Sequence, residues 1–254
     1  MKIGILCGHQ INDLFRDSEE IAVTTSFGNV IFESGRIEGH QVFFVNRHGK
    51  KSNLPPHNVN YKANIEALHS AHVDCVISVG TVGSMNKNML PGDFVVPHDF
   101  FDATKSRSLS FFDDKRVHVD MTDPFCPTLR DKLISACEQN KELTVHRNGV
   151  YVTTEGPRLE TVSEIKFFAS VGELVGMTLV PEVVLAREKG LCFASLCVVC
   201  NMAAGLQKNL PVDEIKKVYA EKESYLSKVL KETIAHLIPE FDCDCENKLE
   251  DALL

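Results

Sequence analysis

Two segments of the 254-residue chain carry side chains suited to binding an anion. Arg47 and His48, followed by Gly49, place a guanidinium and an imidazole at the end of a strand-like run. Arginine can hold an oxyanion through two parallel hydrogen bonds, and histidine can donate another. Gly80-Thr81-Val82-Gly83-Ser84 follows an apolar run and could present backbone N–H groups to the same anion. A surface charge pair and an ordinary turn are the simpler interpretations of these segments.

Two further segments suit recognition of a polar ring. Glu155-Gly156-Pro157-Arg158, with Glu160 close behind, puts two carboxylates and a cation in one turn, although helix capping would explain it as well. Asn201 ends the most apolar strand-like run. Because a carboxamide both donates and accepts hydrogen bonds, Asn201 could read the O6/N7 edge of a purine, or simply form a turn.

The sequence lacks the motifs of several common classes of enzyme and ligand-binding protein. The sequence has no phosphate loop of the G-x-x-x-x-G-K-[ST] type, no G-x-G-x-x-G after the first strand, no H-E-x-x-H and no G-x-S-x-G. The histidines do not show metal-ligand spacing, so we predict no metal ligand. Cys197 and Cys200 lie three apart on a predicted strand and should face opposite sides. Cys243 and Cys245 fall in a polar segment expected to be exposed, either as a redox pair or as two incidental thiols.

Composition narrows the class of protein. Hydrophobic residues make up 44% and charged residues 24% of the chain, as in globular proteins. The net charge of −8 argues against a nucleic-acid partner, and no apolar run is long enough for a membrane span. Most of the nine cysteines sit in apolar runs, so we expect a reducing, cytoplasmic compartment rather than a disulfide framework.

Strand-like and helical runs alternate along the chain, which favours one α/β domain over residues 1–240 followed by a polar carboxyl-terminal tail over 241–254. A turn at residues 34–36 should join the second and third strands, and residues 104–116 should form a mobile loop. We predict strands at 2–7, 29–33, 41–46, 73–79, 93–97, 145–153, 174–177 and 191–200, and helices at 58–70, 127–139, 161–170, 181–189 and 212–237.

Such alternation predicts a largely buried sheet with helices on both faces. Ligands bind these sheets where loops leave the strand ends. We therefore expect one cleft formed by Gly8 and by residues 80–84, 153–158, 177–178 and 201–205.

Taken in order, these segments resemble the trimeric purine nucleoside and methylthioadenosine phosphorylase family. The similarity runs from Gly4 to about Ile215. The motifs that carry it are Asn46-Arg47-His48-Gly49, Pro55-Pro56-His57-Asn58-Val59-Asn60-Tyr61-Lys62-Ala63-Asn64, Met121-Thr122-Asp123-Pro124-Phe125-Cys126-Pro127, Glu155-Gly156-Pro157-Arg158, Gly176-Met177-Thr178-x-x-Pro181-Glu182 and Ala186-Arg187-Glu188.

The resemblance implies a mixed, distorted β-sheet flanked by helices, and a homotrimer or dimer of trimers whose active sites borrow residues from a neighbouring subunit. It implies phosphorolysis of a purine nucleoside with inorganic phosphate as co-substrate and no cofactor. Met177 would contact the ribose. The phosphate would be held by His9, Arg47, His48, Thr81 and Thr178.

Two positions bear on the base. The resemblance places Asn201 and Ala203 where adenosine-type relatives carry aspartates, and Leu159 and Glu160 where adenine-specific relatives have Phe-Ser. A glutamate there accepts from the N1–H that hypoxanthine and guanine have and adenine lacks. This combination is similar to the S-methyl-5′-thioinosine phosphorylase branch, so we predict a 6-oxopurine substrate with Asn201, Glu160 and His48 as catalytic residues.

The 5′ side of the nucleoside is assigned in the same way. Val212 and Ile215 align with the 5′ pocket, and their apolar side chains suit a methylthio group, although helix packing would also explain them. His118 would reach into the neighbour's pocket. We predict S-methyl-5′-thioinosine as the substrate, with inosine and guanosine as further substrates.

One loop departs from the family pattern. Cys7-Gly8-His9-Gln10 stands where relatives read Gly-Gly-Ser/Thr-Gly against the phosphate. Weak phosphate binding, a hydrolytic nucleosidase and a non-catalytic nucleoside-binding homologue therefore stay open. A methylthioadenosine phosphorylase is the alternative for the identity of the base.

Overall fold

The computed structural model describes residues 1–51, 53–239 and 241–252, and over these residues eleven strands form one mixed sheet. The strands are β1 Lys2–Cys7, β2 Ser18–Thr25, β3 Gly28–Ile37, β4 His40–Asn46, β5 Cys75–Ser84, β6 Phe94–Val95, β7 Asp99–Ala103, β8 Val145–His146, β9 Val150–Thr154, β10 Leu174–Gly176 and β11 Cys192–Met202.

The helices begin where the sequence supplies caps. Asn60 accepts the Ala63 N–H at the start of α1, proline opens α2, and Thr161 with Glu164 forms a capping box for α3. Short 3₁₀ helices cover Pro56–Asn58 and Asn247–Ala252. The α-helices are α1 Tyr61–Ser70, α2 Pro127–Gln139, α3 Val162–Phe168, α4 Leu179–Glu188 and α5 Val212–Ala235.

The parallel strands β4, β1, β5 and β11 form the centre of the sheet. The first half of β5 pairs with β1, whereas the end of β5 pairs with the antiparallel strand β10. This change of partner distorts the sheet, as predicted. Helices α2 and α5 cover one face, and α1 and α4 cover the other. Cys197 and Cys200 lie in the two different apolar cores, so the prediction that they face opposite sides is confirmed.

The structure corrects several predicted boundaries. The turn between β3 and β4 lies at residues 38–39, where Glu38 and Gly39 have positive φ, and residues 34–36 belong to β3. Residues 80–84 are the second half of β5 rather than a loop, because they pair with β11 and β10. Strands β2 and β7 were not predicted. The single strand expected over 145–153 is two strands, β8 and β9.

Residues 104–116 have no helix or strand, as predicted, but hydrogen bonds hold this loop to the domain. Arg107 donates to the carbonyl oxygens of Val180 at 2.6 Å and Glu155 at 2.7 Å. The Phe111 N–H donates to Glu188 at 2.7 Å. The loop is therefore anchored to the start and the end of α4. None of the helices in the described parts of the chain has the length and apolar character required to traverse a bilayer.

Replacing Gly176 by alanine should destabilise the fold, because its Cβ would lie 2.6 Å from Cζ of the buried Tyr151 and closer still to the hydroxyl. Overpacking of this kind costs about 1–3 kcal/mol. Gly80→Ala is the matched control, since a Cβ at this strand position meets nothing within 4 Å. Urea denaturation should show a lower free energy of unfolding for Gly176→Ala alone. Equal losses in both variants would contradict this packing.

Candidate active site

A cavity of about 180 Å³ opens where the central parallel strands end. The loops after β1, β4, β9 and β10, the second half of β5 and the end of β11 form its walls, and α5 closes one side. The lining residues are Cys7, Gly8, His9, Arg47, His48, Pro56, Val79, Gly80, Thr81, Val82, Gly83, Leu159, Glu160, Gly176, Met177, Thr178, Cys200, Asn201, Ile215 and Tyr219. The predicted convergence of strand ends on one cleft therefore occurs, with residues 159–160 in place of 153–158.

Arg47 lies at the floor of this cavity and is 2% exposed. Its Nε and Nη2 donate to Oε1 and Oε2 of Glu182 at 2.5 and 2.9 Å, and Ser78 donates to Oε2 at 2.8 Å. Burial by itself lowers the pKa of Arg47, but the charge and hydrogen bonds of Glu182 raise it above its ordinary value. The expectation that Arg47 offers its two-pronged edge to an anion is wrong, because Glu182 occupies that edge.

The remaining nitrogen of Arg47 faces the cavity. Nη1 donates to the Val79 carbonyl at 3.0 Å and lies 3.5 Å from the position of a Cβ on Gly8. Nε2 of His48 would lie 3.0 Å from that same Cβ. Any side chain at position 8 would therefore fill the space in front of Arg47 and His48, and glycine keeps it open.

A nearby backbone carbonyl orients the ring of His48. Its Nδ1 lies 2.6 Å from the Leu54 carbonyl, an acceptor only, so Nδ1 carries a proton and Nε2 points to the cavity. Burial and then the charge of Arg47 lower the pKa of His48. Burial, followed by His48 and Arg47, also lowers the pKa of His9, whose ring packs on Tyr219 at 4.4 Å between centroids. Both imidazoles are thus biased toward the neutral form near pH 7, where Nε2 of His48 accepts a hydrogen bond.

The unusual loop after β1 leaves the cavity open. His9 lines the cavity, whereas Gln10 turns outward and donates from Nε2 to Glu33 at 2.8 Å. The bulk of Gln10, the main departure from the family pattern at this loop, therefore lies outside the cavity.

Thr81, Met177 and Thr178 all line the cavity, as the resemblance placed them. Thr178 is the N-cap residue of α4, and its hydroxyl makes no capping hydrogen bond to that helix. Met177 packs against Gly156, which has φ of +67° and where a Cβ would lie 2.7 Å from the methionine sulfur. Glycine at this turn therefore allows the methionine to sit over the cavity.

Leu159 and Glu160 form the rim between β9 and α3. The Thr154 hydroxyl donates to Oε1 of Glu160 at 2.5 Å, which fixes the carboxylate on the last residue of β9. Oε2 is the oxygen best placed to accept from a ligand. Leu159 is 41% exposed and offers an apolar edge beside it.

Asn201 is aimed into the cavity by an irregularity in its strand. The register between β11 and β5 shifts between Val199 and Asn201, and such bulges redirect side chains near functional sites. Nδ2 of Asn201 donates to the Met202 carbonyl at 2.9 Å and lies 3.1 Å from the position of a Cβ on Gly83. Ala203 is buried in a separate apolar cluster and does not line the cavity.

The two predicted residues of the 5′ pocket differ in placement. Ile215 lines the cavity, whereas Val212 is 60% exposed at the start of α5 and does not. His118 is also outside this cavity, with its backbone N–H bonded to the Ala252 carbonyl at 2.9 Å. Within one chain, the structure therefore brings together ten of the predicted site residues and leaves out Ala203, Val212 and His118. The ten are His9, Arg47, His48, Thr81, Leu159, Glu160, Met177, Thr178, Asn201 and Ile215.

Sequence reasoning missed the residues that support the site. Tyr219 lines the cavity from α5, and its Oη lies 3.9 Å from the Cys7 sulfur. Thr154 positions Glu160 from the end of the preceding strand β9, and Ser78 positions Glu182 from the distant strand β5. Glu182 is the last residue of the motif Gly176-Met177-Thr178-x-x-Pro181-Glu182. An acidic residue in the otherwise apolar start of α4 was the available signal. The exposure expected for the Cys243–Cys245 pair is also wrong, since Cys245 is 2% exposed.

Comparison with known proteins agrees with this architecture. The sequence profile of the phosphorylase superfamily matches residues 2–235. The chain belongs to the phosphorylase superfamily.

Three relatives show the range of named activities. A Methanocaldococcus jannaschii protein named "probable S-methyl-5′-thioinosine phosphorylase" is 41% identical over 99% of both chains. The S-methyl-5′-thioadenosine phosphorylase of Pyrococcus furiosus is 40% identical over 98% of both chains. The structure of methylthioadenosine phosphorylase from Schistosoma mansoni in complex with adenine superposes with a TM-score of 0.93 at 28% identity, covering 99% of this chain and 98% of that one.

Glu182→Ala should destabilise the protein strongly, because it leaves the charge of Arg47 buried without a partner. Removing one partner of such a pair costs about 3–5 kcal/mol. Glu20→Ala is the control, since Glu20 pairs with Lys50 at 2.6 Å but both side chains are more than half exposed. Its cost should be about 0–1 kcal/mol. Urea denaturation measures both, and a similar small loss in the two variants would count against the structural role of Glu182.

Proposed function

We propose that this enzyme is a pentosyltransferase that splits 6-oxopurine nucleosides with inorganic phosphate, with S-methyl-5′-thioinosine as the preferred substrate. The observation that supports the proposal best is one cavity lined both by Arg47 and His48 and by Glu160 and Asn201. The first pair suits an anion, and the second suits the edge of a 6-oxopurine. The reaction needs phosphate as co-substrate and no organic cofactor.

Phosphate binds at the cavity floor in this proposal. Nη1 of Arg47, the Thr178 hydroxyl and the Thr81 backbone donate to its oxygens. Since His48 is biased toward neutrality with Nε2 as acceptor, it receives the hydroxyl of the hydrogen phosphate dianion. His9 contacts the same anion from the loop after β1. These contacts position one phosphate oxygen beneath the anomeric carbon of the sugar.

The purine occupies the opposite side. Oε2 of Glu160 accepts the N1–H of hypoxanthine or guanine, while Oε1 stays bound to Thr154. The Asn201 amide donates to N7 or O6 and stabilises the negative charge that develops on the leaving base. As the bond from C1′ to N9 breaks, its electron pair goes to the purine and a phosphate oxygen bonds to C1′. The proton of the hydrogen phosphate ends on the purine, so the atoms and charges balance.

The sugar lies between these groups, against Met177. Ile215 supplies an apolar wall that suits a 5′-methylthio group. Val212 and His118 lie outside the cavity of their own chain, and the proposal assigns them to the 5′ side only in an assembly. In a homotrimer, or a dimer of trimers, His118 of one protomer would complete the pocket of its neighbour.

Turnover with and without phosphate tests the proposal directly. S-methyl-5′-thioinosine, inosine, guanosine and S-methyl-5′-thioadenosine should be incubated separately with the enzyme, and base release followed by chromatography. We expect phosphate-dependent release of hypoxanthine and guanine, fastest from the methylthio compound. Turnover that is unchanged when phosphate is removed would identify a hydrolase instead. If only S-methyl-5′-thioadenosine reacts, the assignment of the base is wrong. If a nucleoside binds but none is turned over, the proposed enzymatic activity is wrong.

Asn201→Asp should shift the preference toward 6-aminopurine nucleosides, because a carboxylate accepts from the 6-amino group and a carboxylic acid donates to N7. One charge-assisted hydrogen bond corresponds to a change of about tenfold or more in the ratio of kcat/KM values. Asn88→Asp is the control, since it makes the same change at an exposed position outside the cavity. If kcat/KM ratios stay the same in Asn201→Asp, Asn201 does not read the base.

A further inference from the structure

Four cysteine side chains from three distant parts of the chain meet at the amino-terminal end of β11. Cys126 is the N-cap residue of α2, Cys192 is the first residue of β11, and Cys243 and Cys245 come from the carboxyl-terminal segment. All four sulfur atoms lie within 4.8 Å of one another, and those of Cys192 and Cys243 are 3.4 Å apart. None of the four lines the candidate active-site cavity.

The spacing of the sulfurs suits a shared cation. In a tetrahedral zinc site the metal–sulfur bonds are about 2.3 Å, so neighbouring sulfurs stand about 3.8 Å apart. A disulfide joins two sulfurs and gives no reason for all four to gather around one point. The two-residue separation of Cys243 and Cys245 lets one short segment supply two ligands, while α2 and β11 supply one each.

The four thiols are largely shielded from solvent, and one of them stands at the start of a helix. Cys126, Cys192 and Cys245 are buried, and Cys243 is partly buried. The amino-terminal end of the 13-residue helix α2 carries partial positive charge, which stabilises a thiolate at Cys126.

Arg187 offers a counter-charge at this place. Its side chain is buried, and its Nε has no hydrogen-bond partner among the described residues. A divalent metal with four thiolates carries a net charge of −2, and this guanidinium together with the helix end would offset part of it. The remaining cysteines, Cys7, Cys75, Cys137, Cys197 and Cys200, are buried in the apolar cores and belong to no such cluster within the described residues.

We propose that Cys126, Cys192, Cys243 and Cys245 form a structural zinc site that fastens the carboxyl-terminal segment to the domain. Binding of one zinc ion to the four thiols releases four protons and changes no oxidation state. With four protein ligands the coordination sphere is closed, so the site stabilises structure and takes no part in the reaction at the cavity.

The fastened segment supports the region around His118. The Ala252 carbonyl accepts the His118 N–H at 2.9 Å, and Lys248 pairs with Asp120 at 3.1 Å. Zinc at the four cysteines would therefore hold the segment that in turn holds His118. This role is independent of the proposed catalytic function, because it depends on the cysteine cluster alone.

Metal analysis of the purified, reduced protein tests the site. Mass spectrometry of the metals should find about one zinc ion per chain in the wild type, and tetrahedral cobalt in its place should give intense visible absorption with thiolate-to-cobalt charge transfer. Cys245→Ser and Cys192→Ser should lose the stoichiometric metal. Cys137→Ala should retain it, since Cys137 is a buried cysteine of α2 outside the cluster.

A chelator should lower the Tm of the wild type and leave that of Cys245→Ser unchanged, because metal binding contributes folding free energy. The cobalt spectrum of the wild type decides the matter even if a variant fails to fold. Wild-type protein that binds neither zinc nor cobalt at these thiols would overturn the proposal. So would the finding, by mass spectrometry after alkylation without reduction, that the four cysteines are joined as disulfides in the native enzyme.

Discussion

The buried pair of Arg47 and Glu182 connects four segments that are separate in the sequence. Arg47 follows β4, and Glu182 lies in α4, while the guanidinium also donates to backbone carbonyls of β1 and β5. Moving both charges out of water costs several kcal/mol for each ion, and the pair offsets this only through close, fully hydrogen-bonded geometry. The ends of the central strands must therefore stay in register for the pair to form. The shape of the cavity depends on this register of the strand ends.

The same pair decides how an anion can be held. Because Glu182 takes one edge of the guanidinium, the cavity floor presents a positively polarised but nearly neutral unit rather than a free cation. His48, biased toward its neutral form, sits beside it. An anion that arrives with a proton of its own meets an acceptor at Nε2 of His48 and a donor at Arg47. This arrangement fits hydrogen phosphate better than a fully deprotonated oxyanion.

Much of the fold could be predicted because the central strands are continuous apolar runs. Their alternate side chains are buried on both faces of the sheet, so the sequence shows them as unbroken hydrophobic segments; they are β1, β4, β11 and the first half of β5. β2 was missed because its residues are mostly polar and exposed, and β7 because it is only five residues long and none of them is buried. Both strands stand at the ends of the main strand order of the sheet. The end of β5 was taken for a loop because its glycines resemble a turn, whereas pairing with β10 and β11 keeps it extended.

The candidate site was predictable to the extent that its residues stand in local motifs. Arg47 and His48 follow β4, Glu160 lies in the loop after β9, and Asn201 stands near the end of β11, so convergence of strand ends brought them together. Ser78 and Tyr219 could not be assigned in this way, because their partners Glu182 and Cys7 lie 104 and 212 residues away in sequence. The cysteine cluster shows the same limit. Cys243 and Cys245 form a visible pair, but nothing local connects them with Cys126 or Cys192.

The contact between Gly83 and Asn201 has an evolutionary consequence. The amide stands 3.1 Å from where a Cβ on residue 83 would be, so these two positions on adjacent strands share one small volume. An exchange of asparagine for aspartate at 201 preserves that volume and is accessible in a single step. A longer side chain at 201 would extend toward this space, and a side chain at 83 would displace the Asn201 amide by a few tenths of an ångström. Substitutions at positions 83 and 201 are therefore coupled to each other.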